Sequence, residues 1–569
     1  MVRVVFAEEL GSSRGPLRRS LAFAERMRAE GHEVSFVVAD LIAANALLAP
    51  KGIPFVPAPR FSSEPLSSHQ SRGYWKILAG LGYDDRDFLR ARVRAWLTLF
   101  DRLSADSVVL DRAPTAQIAA EISQRRCLTL DADSISAPDR ESDATVLGNI
   151  EAVKRTLASE RLRDSPMPAY SKPLKNRRRI LFAWELGTNA GHLDRGIALA
   201  HALRSRGHEV IFVVRDLDLA ERLLPTEGFG FLPIPSTALP PPRQATMNFS
   251  DVLLICGFDD AQVLGARVRA WTHLLRTLDP DTLVLDHAPT AQVAAYIVNV
   301  PAVLVNSGFS IPPITQPFPS IQPHIRISDE QLSLADQRVR LTVNEVLSQF
   351  EARPLPHLSE LFARSPQIIT TFKELDPYSK RDTGLYVGPV ERITTYREVP
   401  WETIGKVRVF VYMRPFIRGV QALLQALHAS DAEVKCVLPG AAPALVSKYQ
   451  TAHFKIYTEL IELGSLLKEA DVVISYGSAT LLSQALLAGV PVLLLPDVME
   501  QILNSMRAVE LGAGILLLKE RDPEAISAAL TALTSQARFR MAARAFAAKY
   551  RVEGPSACER VVAAIEQSF

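Results

Sequence analysis

The chain is short of the features that mark several whole classes of protein. It has 4 cysteines in 569 residues, at Cys127, Cys256, Cys436 and Cys558, far apart and with no CxxC pair, which argues against a disulfide framework or a zinc site. No stretch approaches about 18 uninterrupted apolar residues, so nothing reads as a membrane-spanning helix. Charge of one sign is missing too: 64 basic and 62 acidic residues leave +2, so a nucleic-acid function would need a local patch. The one basic cluster, Lys172 to Arg179, reads as a solvated linker, with a phosphate or peripheral membrane-surface contact as its alternative. The start MVRVVFAEEL is already strand-like and lacks the pattern of a signal peptide, and the expectation is a soluble cytoplasmic protein.

What is present is an ordinary globular composition, 48% apolar and 22% charged, in a chain long enough for about three or four units. The clearest stretch is Ala183 to Leu217. The apolar run Ile180 to Trp184 is a short buried strand, and the loop Gly187 to Gly191 can turn tightly. Leu193, Ile197, Ala200 and Leu203 then recur at helical spacing, and a second strand starts at Val210. This βαβ unit gathers its polar loop at the carboxyl edge of a parallel sheet, where open α/β sheets bind ligands.

The unit has an echo. Residues 31–41 and 207–217 agree at 9 of 11 positions with a displacement of 176. ARVRAW occurs at Ala91 to Trp96 and at Ala266 to Trp271, and LDRAPTAQIAA from Leu110 matches LDHAPTAQVAA from Leu285. Residues 1 to about 135 and about 178 to 310 therefore read as two copies of one α/β module. The first keeps the scaffold but not the loop chemistry: Pro16 stands where the second copy has His192, and Arg112 where it has His287. Its Asp131-Ala132-Asp133 resembles the DxD pattern of metal-dependent sugar transferases only as an isolated three-residue match.

From Lys406 a fresh βα series begins. Its strand Asp471 to Ser475 runs into Tyr476-Gly477-Ser478-Ala479-Thr480 and a helix, an arrangement whose unpaired amides and helix dipole suit an anion. Two facing α/β units with such edges would close around a ligand.

At this point the residues resemble a family. YGSATLLSQALLAGVPVLLLPDVMEQILNSMR, from Tyr476 to Arg507, is similar to the nucleotide-sugar signature of UGT-like glycosyltransferases of the MurG-like superfamily, with their two-Rossmann GT-B architecture. GHLDRGIALAHALRSRGHEV resembles the start of their acceptor domain, and FKELDPY with YVGPV their interdomain segment. The expected layout is a degenerate acceptor-type copy over 1–135, a linker over 136–178 holding a short helix from Val146 to Arg161, an acceptor-binding unit over 179–365, a connection over 366–405 and a donor-binding unit over 406–569.

The resemblance implies roles. His192 matches the base that takes the acceptor hydroxyl proton, and Asp286 the carboxylate that holds its imidazole; an imidazole of pKa about 6.5 suits that task. Glu500, Gln501 and Asn504 match residues at the donor sugar, and the amides from Gly477 to Leu481 would receive the diphosphate. Inversion without a metal or other cofactor is implied, from a UDP- or dTDP-linked sugar to a small, lipophilic acceptor held near Gly191, His287, Asn306, Ser307 and Phe309. The chain departs from the pattern where His-Gly-Gly becomes Tyr476-Gly477-Ser478, the hydroxyl residue is displaced to Thr480, and the ribose-binding Glu is Gln484. Those departures leave a catalytically inactive binding protein on the same scaffold as an alternative. Arg414 either reaches the pyrophosphate or is a surface arginine, and His287 either lines the cleft or orients its neighbour.

Overall fold

The computed structural model describes residues 1–10, 14–59, 78–130, 141–163, 177–187, 190–239, 246–378, 381–392, 396–402, 406–551 and 554–569. Three wholly parallel sheets form the frame. Helices cover both faces of such sheets, so their central strands bury both sides and read as unbroken apolar runs.

The first sheet holds β1 (Arg3–Glu8), β2 (Glu33–Val38), β3 (Phe55–Pro57), β4 (Ser107–Asp111) and β5 (Arg126–Thr129) in the order β3-β2-β1-β4-β5. Around it lie α1 (Arg14–Ala29), α2 (Leu41–Leu47), α3 (Arg86–Arg102), α4 (Pro114–Ile122) and α5 (Glu141–Arg163). The last of these falls in the expected linker but is no mere connector. Val146, Ile150, Val153 and Leu157 recur at helical spacing and enter the apolar core, while Asn149 Nδ2 donates to the carbonyls of Tyr83 and Asp84.

The second sheet comprises β6 (Arg179–Trp184), β7 (Glu209–Val214), β8 (Phe231–Pro233), β9 (Thr282–Asp286), β10 (Ala302–Asn306), β11 (Gln367–Ile369) and β12 (Leu385–Tyr386). Its order is β8-β7-β6-β9-β10-β11-β12, so the first five strands repeat the order of the first sheet. Its flanking helices include α6 (Gly191–Ser205), α7 (Leu217–Leu223), α8 (Ala261–Leu278) and α9 (Pro289–Val298). Residues expected to be connection thus belong to this unit: β11 pairs Gln367 to Ile369 with Leu304 to Asn306, which satisfies backbone groups β10 would otherwise leave open.

The third sheet runs β15 (Phe454–Tyr457), β14 (Glu433–Val437), β13 (Arg408–Tyr412), β16 (Val472–Ser475), β17 (Val492–Leu494), β18 (Gly514–Leu516). Against it lie α10 (Ala479–Leu487) and α11 (Met499–Glu510). The final helix, α12 (Ala557–Glu566), departs from the expected 406–569 unit and crosses back to the second. Its Val561, Val562 and Ile565 join Leu199, Leu203 and Phe212, and Glu566 accepts from Arg206 at 2.5 Å and pairs with His208 Nε2 at 3.1 Å. Of the basic cluster, Arg178 and Arg179 pin the start of β6 through Asp281 and Glu209; residues 172–176 lie outside the described residues, as do Asp131-Ala132-Asp133. Among the described residues no helix is long and apolar enough to cross a membrane.

Candidate active site

Two adjacent strand ends create the site. β6 and β9 pair so that Trp184 stands beside Asp286, and α6 starts just above them with His192 in its first turn. The loop between β6 and α6 must double back sharply, which Gly187 allows at φ +90°. A Cβ there would lie 2.5 Å from His192 Nε2, so glycine also keeps that nitrogen unobstructed.

Asp286 is completely buried and has three partners. His192 Nδ1 lies 2.9 Å from its Oδ1, Arg195 Nη1 donates to Oδ2 at 2.5 Å, and Asn306 Nδ2 donates to Oδ1 at 2.5 Å. Burial by itself would raise the carboxyl, but the Arg195 guanidinium, His192 and the donated hydrogen bonds outweigh it and hold the pKa at about 2. A carboxylate that stays ionised claims the Nδ1 proton, which leaves Nε2 with a lone pair. The imidazole is further fixed by stacking on Trp184, ring centres 5.2 Å apart and 17° from parallel. Arg195 escaped the sequence reading. The signal was there, because it follows His192 by three residues and so shares its helix face, and Arg19 stands at the same place in the first copy.

Beneath this group sits a carboxyl the motifs did not mark. Glu185 accepts from Trp271 Nε1 at 2.5 Å and from the Thr290 and Ala291 amides at 2.8 and 3.2 Å, closing the start of α9. Burial pushes its pKa up to about 7. Glu9 caps Thr115 in the first unit in the same way, so this is framework.

His287 faces inward. Burial, aided by the charge on His192, depresses its imidazole to about 3. Its Nε2 has no partner among the described residues and borders a cavity shared with Phe249, Gln292, Ser310 and Phe362, large enough for roughly one water molecule. Gly191 is exposed at the start of α6. Asn306 is committed to Asp286. Ser307 Oγ lies 3.1 Å from both Asn306 Oδ1 and Glu500 Oε1, joining the second unit to the third. Phe309 packs with Ile321, Tyr378 and Leu503 in that same seam, so it is a wall between units and not an open surface.

Across the cleft, Gly477 is held at φ +85°, where a Cβ would meet the Gln501 carbonyl at 2.8 Å. Asn504 is buried and donates to the Gly477 carbonyl at 3.3 Å. Its Nδ2 holds the loop carbonyl, while its Oδ1 has no hydrogen-bond partner among the described residues. Gln501 is half-buried, its Oε1 accepting the Asp497 and Val498 amides at 3.0 and 3.4 Å, because its position in the first turn of α11 makes it a cap. Ser478 begins α10 without capping it, and Thr480 and Gln484 stand half-buried on the same helix. Gln484 meets the Glu391 carboxylate. Tyr476 is buried next to Tyr412, ring centres 5.8 Å apart, and its hydroxyl is pushed up by burial. Arg414 lies over the Tyr412 ring at 5.8 Å and reaches the Tyr476 hydroxyl, placing its charge at the mouth of the anion loop. Among the described residues no group of three or more His, Cys, Asp or Glu gathers as a metal site.

Residues 421–566 match the family model described as Erythromycin biosynthesis protein CIII-like, C-terminal domain. Over 394 residues the chain is 25% identical to the PGL/p-HBAD biosynthesis glycosyltransferase of Mycobacterium tuberculosis (strain ATCC 25177 / H37Ra), spanning 67% of this chain and 90% of that protein. This chain is a glycosyltransferase of GT-B architecture. Among solved structures, CalG4, the calicheamicin glycosyltransferase, superposes with a TM-score of 0.53 at 19% identity, covering 69% of this chain and 98% of CalG4. The glycosyltransferase VinC in complex with dTDP superposes with a TM-score of 0.50 at 17% identity over 68% of this chain and 99% of VinC. In this glycosyltransferase the His192 unit is joined to the third unit at the site by Ser307, which donates to Glu500.

Proposed function

We propose that the cleft between the second and third units transfers a sugar from a nucleotide-sugar donor to a hydroxyl of a small, lipophilic natural-product acceptor. The observation that carries this reading is the buried Arg195–Asp286–His192 chain, which ends in an imidazole nitrogen at a sheet edge joined by Ser307 to Glu500 of the opposite unit.

His192 Nε2 removes the proton of the acceptor hydroxyl as its oxygen attacks the anomeric carbon, and Nδ1–H shares the resulting positive charge with Asp286. The carbon–oxygen bond to the diphosphate breaks on the opposite face, so the configuration inverts. The leaving diphosphate is held by the Gly477 to Leu481 amides, the start of α10 and Arg414, without need of a metal. Glu500 meets the donor sugar hydroxyls, and Gln484 the ribose. Gln501 and Asn504 act indirectly, by fixing the start of α11 and the glycine loop. The donor is UDP- or dTDP-linked; the dTDP bound in VinC supports the latter.

Calorimetric titration of the purified protein with UDP, dTDP, GDP and ADP tests the donor half. Micromolar binding of one nucleotide, weakened by Gln484→Ala, supports the assignment. No binding by any of them to folded protein overturns it. Anomeric analysis of the product by NMR tests inversion.

A further inference from the structure

ARVRAW, repeated in both units, takes no part in the chemistry above, and the fold shows where it goes. Its two occurrences lie on α3 and α8, and these helices hold the first unit against the second. Ala91 and Ala95 of α3 enter the apolar cluster of Phe212, Ala220 and Phe231, while Ala266 and Ala270 of α8 enter that of Phe36, Ala44 and Phe55. The polar contacts are mirrored as well. Arg94 Nε donates to Glu221 on α7 at 2.7 Å, and Arg269 Nε, its counterpart in the repeat, donates to Asn45 on α2 at 2.8 Å. Asn45 occupies the position that Glu221 holds in the second copy. At the strand ends Thr98 lies 3.9 Å from the site of a Cβ on Gly230, and its counterpart His273 meets the Phe55 amide at 3.0 Å. The contact is therefore isologous: each unit presents one helix to the other's equivalent edge, as two subunits of a symmetric dimer do.

The symmetry is broken in charge. Glu221, nearly fully buried, is clamped by both Arg90 and Arg94, at 2.6 and 2.7 Å. Arg269 meets the neutral Asn45 amide and lies over the Phe350 ring at 4.3 Å, with no carboxylate paired to it among the described residues, and burial lowers its pKa. The second unit by itself carries both halves of a complete pair, Arg269 on one side and Glu221 on the other.

We propose that the first unit occupies the place of a partner subunit, and that the surface it covers on the second unit is self-complementary for the same surface of another copy of this chain. Two second units facing each other through α8 and α7 would form the Arg269–Glu221 pair twice, where the present contact has Arg94–Glu221 on one side and Arg269–Asn45 on the other; Arg92–Asp218 and Arg102–Glu209 also join the two units. The first unit keeps the chain monomeric by holding that surface permanently.

The full-length Arg90→Glu/Arg92→Glu/Arg94→Glu variant tests this as the charge-reversed chain, because it sets carboxylates against buried Glu221 and against Asp218 in the contact that holds the first unit. Light scattering across a wide concentration range should show the wild type as a monomer and the variant with doubled mass. Adding Glu221→Arg both restores the attraction to positions 90 and 94 and removes the self-complementary pair, so the quadruple variant should return to monomer. A monomeric charge-reversed chain, a ladder of aggregates, or a dimer that survives Glu221→Arg overturns the proposal.

Discussion

Asp286→Asn probes the buried chain, and the first unit supplies its control. Asparagine keeps the shape but loses the charge that faces the buried Arg195 and fixes the His192 tautomer. Two estimates bracket the stability effect. A carboxyl held near 2 against an ordinary 3.8 corresponds to about 2 kcal/mol, and stranding a buried guanidinium costs about 3–5 kcal/mol. At about 2–4 °C per kcal/mol for a unit of this size, the unfolding midpoint should fall by about 4–20 °C. Because the carboxyl is depressed, its contribution is full above the unfolded value and is lost only as pH falls towards 2, so the difference between wild type and variant should be flat from pH 5 upward. Transfer should drop by about 10²–10⁴ with nucleotide affinity unchanged, since the donor loop belongs to another sheet. Asp111 holds the equivalent place in the first unit, bonded to Arg19 at 2.7 Å and Ser20 at 2.9 Å. Arg19 is 44% exposed and can be rehydrated, so Asp111→Asn should cost only about 1–2 kcal/mol and leave transfer intact. Calorimetric melting and a product assay read both. Transfer by Asp286→Asn within about threefold of wild type, or an equal loss in Asp111→Asn, would refute the catalytic reading of the pair.

His192→Ala should abolish transfer by at least about 10² while nucleotide titrations remain unchanged. Gly187→Ala puts a Cβ 2.5 Å from His192 Nε2 at a φ that alanine resists, so it should lower both stability, by about 1–2 kcal/mol, and transfer, by about 10². The Glu8 carboxyl is buried without a hydrogen-bond partner among the described residues, and burial and the nearby Asp111 and Asp40 raise its pKa to about 7, with Arg112 opposing. The folded protein holds that proton where the unfolded chain has released it, so stability falls as pH rises from 4.5 to 7 and levels off above. Glu8→Gln should match wild type near pH 4 and exceed it by up to about 3 kcal/mol above pH 7 in denaturant titrations; equal stability at pH 8 would contradict this.

How far the site was legible follows from what each residue must do. His192 and Asp286 could be named because strand ends, a glycine loop and a helix start are local features. Gln501 and Asn504 match the family motif by position, yet each also bonds backbone that the motif does not reveal, since the first turn of α11 needs a cap and Gly477 needs its carbonyl held. His287 stands next to Asp286 in sequence but points into the unit, on a backbone at φ +51° that rotates it away from the cleft.

The sequence by itself determined three α/β units, the repeat of one of them and the strand ends that carry polar chemistry, because burial on a parallel sheet or a helix face imposes a period readable within ten or so residues. Tertiary structure alone decided the joins. Short strands such as β11 and β12 have too few residues to show a period, and α12 shows an apolar stripe without naming the surface it covers. The pairing of the first two units through Ala91, Arg94, Ala266 and Arg269 was likewise invisible, because an amphipathic pattern says which residues leave water and nothing of what they meet. That partner is fixed only when shape and charge are matched in space.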